Sequence, residues 1–189
     1  MKYRHTNRPG FWIGFVDFFT AGIFLLFYMP LVALGQAMMT FTGQNVGARL
    51  YDRVKSGLRT TLIFGVGYSL VLAAILLYFG RETFGVFYSD PAVIDMGVTI
   101  IWVSFPFYFF YVFLEVFADT LRGGGLSDVP MYIVLFNQCL LRTLILFGFM
   151  QLAHDIRLLV AVYPITWGTA GAMLYWYYRK GTWMRQPTV

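Results

Sequence analysis

Charge is what this sequence has least of. Only 12% of its 189 residues are Asp, Glu, Lys or Arg, about half the share a soluble domain carries. A single cysteine, Cys139, excludes an intrachain disulfide and any cysteine cluster for a metal. The two histidines, His5 and His154, lie far apart and form no H-x-x-x-H spacing. There is no phosphate-binding loop, no G-x-S-x-G and no G-x-G-x-x-G after a strand. Glutamate occurs twice, at Glu82 and Glu115. These absences remove the usual supports for hydrolytic, redox and nucleotide-dependent chemistry. The chain is read as neither an enzyme nor a cofactor carrier.

Apolar residues are abundant: 59% of the chain is hydrophobic and 20% aromatic. A soluble fold of this size cannot hide so many large apolar side chains, and the low charge argues against disorder. The sequence therefore predicts an integral membrane protein whose surroundings are the lipid bilayer. A net charge of +5 would suggest nucleic acid for a soluble chain. Here the cations sit in short loops between apolar runs, the ordinary membrane pattern, and no nucleic-acid partner is expected. The N-terminus has a basic head and an apolar run like a signal peptide. Asp17 interrupts that run and no A-x-A site follows, so it is expected to stay uncleaved.

A bilayer-spanning helix needs about 20 apolar residues. Five regions qualify: 16–46, 60–79, 97–117, 131–152 and 158–178. All are longer than barrel strands and apolar all round, so the fold class is all-α. Gly80-Arg81-Glu82 is expected to end the second span. Asp90 and Pro91 are a cap and a first helical residue, and the third helix is expected to run from there to about Thr120. Pro30, Pro106 and Pro164 lie inside spans, either as packing kinks or as hinges that expose a carbonyl. Arg49, Arg53, Lys55 and Arg59 make one loop cytoplasmic; Glu82 then lies outside and Arg122 inside. Five crossings are favoured, with six as the alternative if the first region splits at Pro30. In domain terms, 1–15 is a basic segment, 16–179 the transmembrane lobe and 180–189 a cytoplasmic tail.

Two stretches carry a resemblance. One is Gln44-Asn45-Val46-Gly47-Ala48, which closes an apolar run before the basic loop. The other, about 75 residues on, is Leu121-Arg122-Gly123-Gly124-Gly125, followed by Asp128 and Pro130-Met131. In this order, with two helices between, they resemble the Q-N-x-G-A and L-R-G-x-G elements of the multidrug and toxic compound extrusion (MATE) family. Glycine and alanine would let helices approach closely there, and the amides would bond across helices or cap the end. The resemblance covers 16–179, about five of the six helices of one lobe, and is closer to the C-terminal lobe. One lobe and the first helix of the other have no counterpart, which implies a truncated product, a fragment or a fused frame. The resemblance implies export of small organic compounds from the cell across the inner (plasma) membrane. The coupling ion would be a proton or sodium, and a second lobe or another copy would complete the transporter.

Five charged residues stand out within or beside spans. Tyr108, Tyr111, Glu115, Asp119 and Arg122 follow at helical steps and form one polar stripe. Glu115, with Tyr111 and Asp119, is the candidate cation-coupling group. The alternative is an interfacial carboxylate paired with Arg122 or a loop cation. Asp119 is expected at a solvated helix end. Arg142 falls in the middle of the fourth span, where a cation is costly unless paired or hydrated. With Gln138 one turn away and Asn137 adjacent, it either pairs or snorkels, or it contacts an anionic substrate or lipid phosphate. Asp17 is placed at the outer interface. Trp102, Trp167, Tyr175 and Trp176 read as packing or an interfacial belt. Competing functions are a MATE-like antiporter lobe, a flippase-like relative that moves a lipid-linked anion, and a non-transporting scaffold or remnant.

Overall fold

The computed structural model describes residues 10–88, 90–152 and 156–181. Among them every regular element is a helix. The signal-like head, the 180–189 tail beyond Gly181, and the side chain of Asp17 lie outside the described residues.

The first helix, α1 (Gly10–Gly47), is 38 residues long, about 57 Å at 1.5 Å per residue. It runs through Pro30 without a loop, so the split that six crossings require does not occur. Its end is a Schellman closure. Leu50 N–H bonds the Asn45 carbonyl at 2.7 Å and Arg49 N–H bonds Val46 at 2.9 Å. Arg49 takes the left-handed conformation, φ 61°, where glycine is usual.

The second helix, α2 (Tyr51–Phe87), does not stop at Gly80-Arg81-Glu82 as expected. A helical glycine costs only about 1 kcal/mol against alanine, and Gly80 is packed against Ile101. Arg81 instead pairs with Asp95 at 2.9 Å and ties the end of α2 to the next helix. That helix, α3 (Pro91–Ser104), starts as read: the Asp90 carboxylate accepts from Ala92 N–H at 2.9 Å and Pro91 sits in the first turn.

The expected single helix from 91 to about 120 is in fact two. A 3-10 turn at Phe105–Phe107 separates α3 from α4 (Phe109–Gly123), and the two axes differ by 49°. The cause is Pro106, which has no N–H to give the preceding turn and whose ring collides with the carbonyl four residues back. A second Schellman closure ends α4, with Leu126 N–H on the Leu121 carbonyl at 3.0 Å and Gly125 N–H on Arg122 at 3.0 Å. Gly125 has φ 89°; here glycine takes the left-handed position.

The fourth region is α5 (Asp128–Leu135), a widened π turn (Phe136–Leu141) and α6 (Arg142–Leu152). The last helix is α7 (Ile156–Lys180). Among the described residues three helices, Tyr51–Val86, Asp128–Gly148 and Arg157–Lys180, are long and apolar enough to cross a bilayer. The bent pair adds a fourth when taken as one span.

The hub is α4. Val112, Leu114, Val116, Phe117, Ala118 and Leu121 are all buried, because α1, α2 and α7 pack around it. The outer helices are different. Phe64, Tyr78, Phe147 and Trp176 stand exposed, as suits side chains that meet lipid tails rather than water.

Candidate functional site

The polar stripe of α4 faces two helices. Towards α1, the Tyr28 and Tyr111 rings lie 5.7 Å apart, and the Tyr111 side chain reaches both Tyr28 and the Glu115 carboxylate. Towards α7, Trp167 meets Tyr108 at 5.1 Å and Tyr111 at 5.5 Å, both edge to face. The aromatic residues thus form a wall above Glu115. Aromatic pairs at such offsets hold their geometry as well as bury area.

The two carboxylates differ in a way the sequence reading missed. Asp119 is not solvated: it is 4% exposed and accepts from Arg122 Nη1 at 2.6 Å. Helix α1 covers it at Gly35. A Cβ there would come within 2.5 Å of Asp119 Oδ2 and 3.1 Å of Glu115 Cγ. The hydrogen atom of a glycine is what lets the carboxylate lie against the α1 backbone. Glu115 is half-buried, and among the described residues no lysine or arginine stands within ion-pair distance of it. One carboxylate is therefore neutralised in place. The other hydrogen-bonds Tyr111 and feels the charges of Arg122 and Asp119 only through space, on a helix buried in the bundle.

The second polar group lies on the π turn. Asn137 is fully buried. Its Nδ2 donates to the Ile133 carbonyl at 2.8 Å and its Oδ1 accepts from Thr169 Oγ1 at 2.7 Å. This cross-helix bond pins the wide turn to α7. Arg142 Nη2 donates to Thr166 Oγ1 at 2.9 Å, and the guanidinium lies over the Tyr163 ring at 4.5 Å. Among the described residues no carboxylate pairs with Arg142. The expectation of a pairing partner is thus met only by a hydroxyl and a ring face.

Helix α7 links the two groups. Tyr163 and Trp167 are 5.9 Å apart, so Glu115, Tyr111, Trp167, Tyr163 and Arg142 follow one another along one side of the bundle. Gly35, Tyr28, Tyr163, Thr166 and Thr169 were not singled out from sequence, and Trp167 was read as packing or belt. The signal available was the polar run Thr166 to Thr169 within an apolar helix. The large grooves lie elsewhere. One of about 430 Å³ between α1 and α2 is lined by Met38, Phe41, Arg53, Ser56, Thr60 and Thr61. Another, of about 530 Å³, is an apolar face around Tyr132, Phe136 and Leu140.

The motif residues build helix ends. Asn45 is buried and its Nδ2 donates to Phe41 O at 2.7 Å, back onto its own helix; the side chain neither crosses to another helix nor caps the end. Gln44 and Ala48 are exposed. Gly47 brings no helix close, since a Cβ there would meet nothing within 4 Å. The close approach is made by Gly123, which faces the Met39 carbonyl and Thr42 of α1, and by Gly35. Among the described residues no cluster of His, Cys, Asp and Glu could hold a metal ion.

Residues 19–147 match the model of the MatE family. A protein described as "Probable multidrug resistance protein YoeA" of Bacillus subtilis is 32% identical over 155 residues, which cover 80% of this chain and 33% of that protein. "Multidrug resistance protein PmpM" of Pseudomonas aeruginosa is 29% identical over 118 residues, 62% of this chain and 24% of that one. "Probable multidrug resistance protein NorM" of Aromatoleum aromaticum is 30% identical over 112 residues, 59% of this chain and 24% of that one. The chain spans about a third or less of the length of these relatives. No solved structure matches it.

Proposed function

Because this chain belongs to the MatE family, we propose that it forms part of a cation-coupled exporter of small organic compounds. The printed names of its relatives, multidrug resistance proteins, support that substrate class. The observation that carries the coupling is the unequal pair on α4. Asp119 is locked by Arg122 at 2.6 Å, while among the described residues Glu115 has no cation at ion-pair distance. A carboxylate in a membrane bundle without a fixed cation is a place for a mobile one, a proton or sodium. Tyr111 reaches that carboxylate and is part of the aromatic wall with Tyr28 and Trp167. Ion occupancy at Glu115 can therefore be felt by a group that faces an apolar substrate.

Transport of this kind needs two halves that rock about a central site. The proposed partner is a second lobe or another copy of this chain, and the proposed location is the plasma membrane. The second reading, movement of a lipid-linked anion, is favoured by Arg142, a span cation with no carboxylate partner among the described residues.

The test compares wild type with Glu115→Gln in everted vesicles, at matched expression. Ethidium transport is driven by an imposed pH or sodium gradient. Glutamine keeps the size and hydrogen bonding but can neither titrate nor neutralise sodium. Gradient-driven transport is expected to fall at least tenfold. Undiminished transport with an unchanged ion dependence would overturn the assignment of Glu115.

A further inference from the structure

The guanidinium of Arg142 is held, and among the described residues no carboxylate neutralises it. Arg142 opens α6, 14 residues beyond the start of α5 at Asp128, about 21 Å along the helix. That depth lies well inside a hydrocarbon core of about 30 Å. The side chain cannot simply snorkel, because Nη2 is fixed by Thr166 at 2.9 Å and the plane is stacked on Tyr163 at 4.5 Å. Thr166 is itself fixed, donating to the Tyr163 carbonyl at 3.1 Å. Arg142 Nε is buried and has no hydrogen-bond acceptor, and one turn before it Gln138 Oε1 is buried and has no donor. A buried orphan polar atom is a cost that most native sites avoid. Here a donor and an acceptor are orphaned together beside a positive charge that no carboxylate pairs among the described residues.

The backbone supports the same reading. The π turn at Phe136–Leu141 contains Gln138 and ends at Arg142. Single π turns inside α-helices are rare and recur at functional sites. This one is pinned by the Asn137–Thr169 bond at 2.7 Å, so the guanidinium is presented by a rigid frame. The Tyr163 face of the site is open, with that residue 44% exposed, and it leads through Trp167 to the aromatic wall. An apolar body fits against those rings while its charged end meets Arg142.

We propose that Arg142, with Gln138, Thr166 and Tyr163, binds the oxyanion of an amphiphilic ligand within the membrane. The chemical class is a carboxylate, sulfonate or phosphate on an apolar body. Arginine's planar fork suits it: the Nε edge gives one donor and the neighbouring amino group another. Of these groups, a singly charged phosphate monoester also keeps a P–OH that can donate to Gln138 Oε1. Selection at this point differs from cation coupling at Glu115 and does not depend on transport.

The full-length protein is placed in phosphatidylcholine nanodiscs and titrated with 11-(dansylamino)undecanoic acid, with empty discs subtracted. The uncharged carboxamide of the same probe is the control. The acid is expected to bind wild type at least tenfold tighter than the carboxamide. Arg142→Gln should erase that preference, Arg142→Lys should keep part of it, and Thr166→Val should weaken it about threefold. Equal binding of acid and carboxamide by wild type overturns the proposal, and this needs no variant to fold. Retention of the preference by a monodisperse Arg142→Gln protein overturns it as well. Exchange of the discs to phosphatidylglycerol distinguishes the sources. Arg142-dependent displacement of the acid identifies a net anionic phospholipid as occupant, and its absence identifies a soluble anion. Because binding is read at equilibrium, failure here leaves the export reading standing.

Discussion

Asp119 and Glu115 are one helical turn apart, yet the fold treats them as different chemical objects. Asp119 sits under Gly35 and holds Arg122 at 2.6 Å. Arg122 keeps 34% of its side-chain surface, so this pair is less costly to break than a fully buried one. Removing one partner of a buried pair costs about 3–5 kcal/mol, and the partial exposure of Arg122 brings the expected loss for Asp119→Asn to about 2 kcal/mol. Glu115→Gln removes no ion pair and should cost less than about 1 kcal/mol. Thermal unfolding of both variants in the same detergent checks the order. A midpoint for Asp119→Asn equal to that of wild type would mean that the Arg122 pair holds nothing. The proposed roles are thus separable: stability for Asp119, ion dependence for Glu115.

Between elements, glycine decides how near α1 comes to α4. Gly35 meets the carboxylates and Gly123 meets the Met39 carbonyl and Thr42. Without water to drive helices together, close backbone approach and its van der Waals contact hold such a pair. Gly35→Ala places a methyl group within 2.5 Å of Asp119 Oδ2. The carboxylate is tethered by Arg122 and cannot withdraw freely, so α1 must shift. Overpacking of this kind costs about 1–3 kcal/mol. Gly47→Ala, where a Cβ meets nothing within 4 Å, should change the midpoint little. A thermal comparison of the two alanine variants tests whether the α1–α4 contact, rather than the motif glycine, stabilises the lobe. A larger loss at Gly47 would refute it. The same scale explains the bend of α3 and α4: one proline inside an apolar run gives a 49° break that leaves Tyr108 and Tyr111 facing Trp167.

At the scale of the whole molecule, both Schellman closures, after α1 and after α4, lie at one end of the bundle, as the Gly43 approach to the Gly123 carbonyl shows. The basic residues Arg49, Arg53, Lys55, Arg59 and Arg122 belong to that end. The Arg81–Asp95 pair, with Glu82, belongs to the other. By the excess of cations the first end is expected in the cytoplasm. In a Cys139→Ser background, Lys55→Cys should resist an impermeant thiol reagent in intact cells and Glu82→Cys should react. Labelling of position 55 from outside would invert the orientation.

Composition determined that this chain lives in a bilayer, because 59% hydrophobic residues at so low a charge have no other stable solvent, and the length of its apolar runs determined that it is helical. Local chemistry was equally legible: the Asp90 cap, the proline in the first turn of α3, and the two motifs that close helices. What sequence periodicity could not reveal was depth and partnership. It put Asp119 at a solvated end, since the distance to a loop says nothing about a glycine on another helix that covers it. It gave Arg142 only the neighbours of its own helix, Gln138 and Asn137, since Thr166 is 24 residues away on another helix. Those contacts join residues distant in the chain, and only the packing of α1, α4 and α7 against one another decides them.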